Sequence, residues 1–307
     1  MPLLTWLSLR GKCRNCAAPI SIRYFFVELF TGGAFLACWL RYGHESAWLA
    51  LVYAMFLSGL IVATMIDFEH FIIPDEITLG GAVVGFICSF FLPQLHHQPT
   101  LTGTISQSLL GIGIGAGVVY AILRAGKWLF GKQRFALPPK SKIIFSETAV
   151  HLPDKDIPYE DVFYRRTDVV TLQARTLELV DRCYKNVHVR LALLAKELRI
   201  DDEVIDPEHC PHMEVETSEL ILPREAMGLG DVKFMAGIGA FLGWKAAIFS
   251  LMASSMIGAV VGLVLIVFGK REWSSRLPYG PYIALAAALW IFGGREFAEA
   301  WLRSIGR

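Results

Sequence analysis

A chain of 307 residues that is 54% hydrophobic, 19% charged and of mean hydropathy +0.47 is too apolar for an ordinary soluble domain. Its net charge of +1 argues against a nucleic-acid binder, and six scattered cysteines imply no disulfide framework.

The first 23 residues read as a cytoplasmic loop without a cleavable signal peptide, since the first ten lack a long apolar region. The loop carries Arg10, Lys12, Arg14 and Arg23 around one Cys-x-x-Cys pair, Cys13 and Cys16. Residues 24–131 form a first transmembrane group. Windows 46–66, 77–95 and 101–123 contain no Asp, Glu, Lys or Arg. Each is near the ~20 residues a helix needs to cross the hydrocarbon. Residues 24–40 add a span that includes Glu28. Within the fourth span, Gly111/Gly115 and Gly113/Gly117 each make a small-xxx-small pair, as at a close helix seam.

Residues 132–225 do not belong to the membrane. They hold 14 Lys and Arg against 18 Asp and Glu, a net −4, and read as a soluble cytoplasmic insert. Apolar runs at 142–145, 161–164 and 169–171 read as strands, and 173–183 as the one helical stretch. The segment from Val150 to Ile157 is echoed by Leu198 to Ile205, which suggests two related β-units. Residues 226–307 form the second transmembrane group, with charge-free windows 246–268 and 277–294 and a shorter span, 232–244, that includes Lys233.

The fold class is therefore an all-α polytopic membrane protein of about seven transmembrane helices with a β-rich insert. Lys and Arg in the short loops set its orientation. Basic residues before the first span, after the fourth (Arg124, Lys127, Lys132, Arg134) and between the last two (Lys270, Arg271, Arg276) come out cytoplasmic. The loop holding His96 and His97 is external, and both histidines read as loop polarity. On this count Asp67 and Asp231 sit at cytoplasmic helix ends, at one depth.

A carboxylate beside hydrocarbon is expensive and marks a functional site by default. Asp67 closes one apolar run; Asp231 follows Gly228-Leu229-Gly230 and opens another. Two carboxylates sharing a site hold one proton between them. The ionised one takes a proton from water as it attacks a peptide carbonyl, and the protonated one donates to the developing oxyanion. Gly228 and Gly230 support the site by leaving room for close approach. Asp75, after Pro74, reads as an N-cap for the span from Ile77 with a supporting role near the site. Lys233 reads either as a group stabilising the dyad's charge or as an exposed interfacial lysine. Acids placed in mid-membrane would instead suit a transporter or sensor relaying protons or ions.

The chain carries in order Arg10-Gly-Lys-Cys-Arg-Asn-Cys16, Pro19-Ile-Ser-Ile-Arg23, Val27-Glu-Leu-Phe-Thr-Gly32, Ile66-Asp67 with Ile73-Pro-Asp75 and Thr78, Glu225-Ala-Met-Gly-Leu-Gly-Asp-Val-Lys233, and Pro278-Tyr-Gly-Pro281. Taken together, these pieces resemble the prepilin peptidases, the type IV leader peptidases among the GxGD intramembrane aspartyl proteases. The resemblance implies cleavage of leaders from prepilins or pseudopilins at the cytoplasmic face of the bacterial inner membrane, beside pilus or secretion-system assembly components. Asp67 and Asp231 would be catalytic and would need no cofactor. The resemblance also implies, for many members, N-methylation of the new N-terminus with S-adenosylmethionine. Many relatives carry two Cys-x-x-Cys pairs, suited to a structural zinc. This chain starts where those pairs are normally separated, so the usual first span and first pair are expected to be missing. Cys13 and Cys16 are then an incomplete metal site, with Cys183, His209, Cys210 and His212 as candidates to complete it.

Overall fold

The computed structural model describes residues 2–153, 156–159, 162, 163, 166, 168–210, 212–223, 228–268 and 278–305. The chain divides into two compact units, Met1–Ala121 with Gly228–Arg307, and Ile122–Met227.

The first unit is helical. A short helix, α1 (Pro2–Ser8), occupies part of the N-terminal stretch read as loop. It is followed by α2 (Ile22–Tyr42), α3 (Ala47–His70), α4 (Asp75–Phe91) and α5 (Leu101–Phe130). After the insert come α6 (Leu229–Leu242), α7 (Trp244–Val267), α8 (Gly280–Leu289) and α9 (Arg295–Ile305). Ser21 and Ser46 start α2 and α3 by accepting the backbone N–H of Arg23 and Leu49. Four described helices are long and apolar enough to cross a membrane: Ile22–Tyr42, Ala47–His70, Leu101–Leu129 and Trp244–Val267. The apolar α4, α6 and α8 are shorter. The last apolar window runs through α8 into a π-helical stretch, Trp290–Gly294, and bends at Gly293, whose φ is +143°. Lys270, Arg271, Arg276 and Glu225 lie outside the described residues.

The short α6 is the hub. Every residue from Phe234 to Leu242 is buried, which explains why its sequence is apolar on all sides. Phe241 packs on Phe56 of α3 with ring centroids 4.6 Å apart, and Ser108 of α5 donates to the Ala240 carbonyl at 2.9 Å. A Cβ at Gly85 of α4 would stand 2.8 Å from Phe241. Gly111 and Gly115 of α5 lie directly against the backbone of Gly239 and Met235, so one of the two glycine pairs is a helix seam. The other is not: a Cβ added at Gly113 or Gly117 would meet no described atom of another element within 4 Å. Residues two apart on a helix point to different sides, and only one side meets α6. Gly111→Ala should therefore destabilise the protein by about 1–3 kcal/mol, as overpacking does, and Gly113→Ala by nearly nothing. Unfolding of the two variants in detergent checks the difference.

At the far end of α6 the reading of His96 as loop polarity fails. Its ring is buried, its Nε2 lies 3.1 Å from the Ser89 hydroxyl, and burial pushes its pKa down to about 4. The loop folds back on the bundle because Leu95 is itself fully buried and carries its neighbour inward.

The second unit holds one antiparallel sheet of eight described strands. They are β1 (Lys132–Phe145), β2 (Ala149–His151), β3 (Asp156–Pro158), β4 (Val170–Glu178), β5 (Cys183–Ala192), β6 (Glu197–Ile200), β7 (Glu203–Ile205) and β8 (Met213–Pro223). Their order is β3-β2-β1-β8-β4-β5-β6-β7. Two of the predicted strands fall in β1 and β4. The third does not form: Val162 and Phe163 are buried in a turn on the Tyr159 carbonyl, and Asp161 and Tyr164 lie outside the described residues. The helix expected at 173–183 is also absent. From Val170 to Arg175 burial alternates residue by residue, the period of a half-buried strand, and after a one-residue shift Leu177 is buried again before a turn leads into β5.

The internal echo has a structural meaning. Val150 pairs with Ile157 in the β2–β3 hairpin, and Leu198 pairs with Ile205 in the β6–β7 hairpin. The repeated segments are thus the two edge hairpins of a single sheet. They add to β1 and β5 respectively, so the repeat is two halves of one sheet and not two separate units.

Candidate active site

Asp67 lies in the last turn of α3, where its carbonyl accepts the N–H of the capping residue Phe71, and is only 5% exposed. Its Oδ2 accepts the backbone N–H of Gly280 at 2.9 Å. Gly280 is the first residue of α8, with Pro281 just inside the helix. The bond gives one of the free N–H groups of a helix start to a buried carboxylate. Asp231 stands three residues past Gly228, the N-cap of α6, and is 8% exposed. Its Oδ2 accepts the Gly228 N–H at 3.2 Å. Each acid is therefore held by one backbone N–H at the positive end of a helix, Asp231 by its own and Asp67 by another.

One side chain joins the two supports. Buried Ile73, in the turn between α3 and α4, lies 3.6 Å from where a Cβ would stand on Gly230 and 3.1 Å from where one would stand on Gly280. Asp67 and Asp231 are within electrostatic range of each other. The structure thus brings together Asp67, Asp231, Gly228 and Gly230. The start of α8 is fixed in turn from α7: the Tyr279 hydroxyl lies 2.9 and 2.8 Å from those of Ser254 and Ser255.

Asp75 does not cap α4. Pro74 holds the N-cap position, and Asp75 is the first helical residue. Its two carboxylate oxygens lie 2.7 and 2.9 Å from the Lys233 ammonium on α6. Lys233 is committed to Asp75 and ties the start of α4 to the helix that carries Asp231. Reasoning from sequence missed this pair, and placed Ile73, Tyr279 and Gly280 in motifs without these roles. Asp75 and Lys233 are 158 positions apart, with no periodicity to relate them.

The Cys13 and Cys16 loop is a tight hairpin. Cys13 donates to the Ala18 carbonyl, Ala17 donates to the Cys13 carbonyl, and Ala17 takes the left-handed conformation at φ 55°. The N–H groups of Cys16 and Asn15, with the Cys16 thiol, hold the Cys13 thiol below its ordinary pKa. Two thiols so placed suit half of a tetrahedral thiolate set. Among the described residues no group of three or more His, Cys, Asp or Glu could hold a metal ion. Cys183, Cys210 and His212 belong to the sheet unit, and burial pushes the Cys210 thiol up.

Comparison with known proteins agrees with this arrangement. The Bacterial Peptidase A24 N-terminal domain matches residues 1–42, and the Type IV leader peptidase family matches 54–135 and 204–263, stepping over most of the insert. A prepilin leader peptidase/N-methyltransferase of Aeromonas hydrophila is 26% identical over 306 residues, covering 98% of this chain and 69% of that protein. One of Stutzerimonas stutzeri is 24% identical over 303 residues, covering 99% and 70%. One of Myxococcus xanthus is 41% identical over 104 residues, covering 34% and 30%. No solved structure matches the chain. With the leader-peptidase match covering both Asp67 and Asp231 and the N-terminal match preceding it, the chain belongs to the type IV leader peptidase family.

Proposed function

We propose that this chain is a prepilin leader peptidase, an aspartic endopeptidase of the bacterial inner membrane that removes leaders from prepilins or pseudopilins. The observation that carries the reading is the pair of buried carboxylates at the ends of α3 and α6, each on one backbone N–H and backed by Ile73. With one proton between them, the ionised carboxylate takes a proton from water as its oxygen bonds to the scissile carbonyl carbon. The protonated carboxyl donates to the carbonyl oxygen. On collapse the C–N bond breaks and the leaving nitrogen takes a proton from the dyad. No cofactor enters these steps. S-adenosylmethionine belongs to the methylation named in the relatives, and a zinc at Cys13 and Cys16 to the loop's structure. The test is cleavage of a prepilin leader by the purified chain in lipid, together with the two acid variants taken up below.

The apolar helices α2 to α8 give seven crossings in this reading, with the dyad at the cytoplasmic face. Arg10, Lys12, Arg14 and Arg23 before α2 support that orientation. On the same count the four crossings α2 to α5 return the chain to the cytoplasm before residue 132. The proton- or ion-relay alternative is disfavoured, because both acids stand at helix ends and not at mid-span.

The groups described around the dyad, the Gly228 and Gly280 N–H groups and Ile73, lie outside 132–225, and the proposed work of the insert is selecting partners such as pilus or secretion-system components. Its ends are neighbours: Lys132 pairs with Pro223 across the first rung of β1 and β8. Replacing 135–222 with a short Gly/Ser linker should keep cleavage of a generic leader within about threefold, since joining adjacent ends costs little entropy. Turnover of the shortened protein in lipid is the check; a loss near 100-fold in a protein that still inserts would assign the insert a catalytic share.

A further inference from the structure

The face of the insert's sheet that points away from its core carries a row of side chains set by strand pairing. Ile221 of β8 pairs with Thr171 of β4, and Thr171 with Arg190 of β5. Arg190 pairs with Arg199 of β6, and Arg199 with Val204 of β7. Their neighbours along the strands, Leu172, Leu191 and Leu198, point the other way into the core. Two arginines thus stand directly opposite each other, a placement that by itself destabilises a sheet. Arg199 lies 3.0 Å from the Glu197 carboxylate, whereas Arg190 has no hydrogen bond or ion pair among the described residues.

The two arginines border a half-open hollow of about 150 Å³, completed by Val169, Ala192 and Glu197. Small-molecule pockets begin at roughly 300 Å³, so a space this small suits one side chain of a partner rather than a cofactor. Charge narrows the choice. Two guanidinium groups against one carboxylate leave the hollow one positive charge, within a domain of net charge −4. A carboxylate neutralises that charge and accepts two parallel N–H bonds from one guanidinium. A phosphoryl group carries about −1.5 to −2 and would meet Glu197 with more charge than the hollow balances. The surroundings are apolar: Val204, one rung beyond Arg199, and Leu194, in the turn from β5 to β6, are both exposed. The surface complements an acidic residue with apolar neighbours.

We propose that this hollow binds a single Asp or Glu side chain of a partner protein, in a segment with apolar residues on either side of the acid. The inference rests on the reading of the insert as the partner-selecting part of the chain, gives that reading its chemistry, and is independent of the dyad. The guanidinium of Arg190 meets the carboxylate, and Val204 and Leu194 meet its neighbours. Because the domain around the hollow is acidic, acids that fall elsewhere on it are repelled, so the position of one charge decides which segments bind.

The test pans a random peptide library on the full chain held in phosphatidylcholine nanodiscs. Peptides retained by the wild type should share Asp or Glu at one aligned position, enriched on the order of tenfold, with Leu, Val or Phe beside it. A synthetic peptide of that pattern should bind about tenfold more tightly than its Asn or Gln counterpart, and no less tightly than its phosphoserine counterpart. Arg190→Glu should exchange the acid for Lys or Arg at the same position, and Arg190→Gln should lose the acid without gaining a base. Arg175→Glu changes an exposed arginine of β4 outside the hollow and should keep the wild-type pattern. Equal thermal unfolding of the variants shows that the sheet is intact. An acidic preference that survives in Arg190→Glu, or that disappears equally in Arg175→Glu, overturns the hollow. So does tighter binding of the phosphoserine peptide, or displacement of the acidic peptide by phosphatidylglycerol vesicles. A wild-type chain that enriches no pattern overturns the partner-selecting reading and the hollow with it. Leader cleavage in the same samples should stay within about threefold of wild type in every variant. A wild-type chain that cuts no leader overturns the peptidase reading and leaves the hollow standing.

Discussion

Asp67→Asn and Asp231→Asn should each lower leader cleavage by about 10³-fold or more, with the double variant no worse than either single one. Each side chain amide keeps the size and an acceptor oxygen for the Gly280 or Gly228 N–H, so the start of α8 and the first turn of α6 stay supported. What is lost is the ability to pass a proton. The two acids act as a unit, one receiving the proton that water gives up and the other delivering one to the carbonyl oxygen, so removing either empties the mechanism. Non-additivity is the informative part. Two independent structural acids would give losses that multiply, and two acids sharing a reaction give losses that do not. Initial rates on a prepilin leader, with the variants checked for equal insertion and unfolding, decide it. Full cleavage by either single variant would remove the aspartyl-protease reading.

The acids were legible in the sequence because a carboxylate next to an unbroken apolar run stands out whatever surrounds it. Their setting was not. The N–H that holds Asp67 comes from Gly280, 213 positions away, and a backbone donor leaves no mark in composition. Lys233 appeared as a cation near the dyad, and only the packing of α4 on α6 shows it bound to Asp75. The insert shows the same division. Its β character followed from short β-branched runs, and its echo was real, but the strand at 170–178 includes Gln173, Ala174 and Arg175, residues that serve helices equally well. Strand pairing decided against them. Burial of Val162 and Phe163 in a turn likewise depends on the sheet beneath, which no local pattern encodes.

Gly280→Ala should cost about 10²-fold in kcat/KM while Gly230→Ala stays within about threefold, although Gly230 is the glycine inside the acid's own motif. The contrast comes from space. A Cβ on Gly280 would stand 2.7 Å from Asp67 Oδ2 and 3.1 Å from Ile73 Cδ1, closer than a methyl group tolerates. A Cβ on Gly230 would meet Ile73 at 3.6 Å, an ordinary contact. Alanine at 280 must push the carboxylate away or draw the start of α8 back, and either lengthens the bond that aims Asp67. Ile73 borders the Cβ space of both glycines, so its displacement carries the strain to the turn before Asp231. Gly230→Val is a harsher change than alanine: its two methyl groups reach past the Cβ toward Ile73, and it should lose activity where alanine keeps it. An error of about 1 Å in a reacting group is worth roughly two orders of magnitude in rate. The variants should separate in kcat more than in KM, because the group displaced, the Asp67 carboxylate, acts in the chemical step. Equal turnover by Gly280→Ala and wild type, in proteins of equal thermal stability, would show that the Gly280 N–H does not position Asp67.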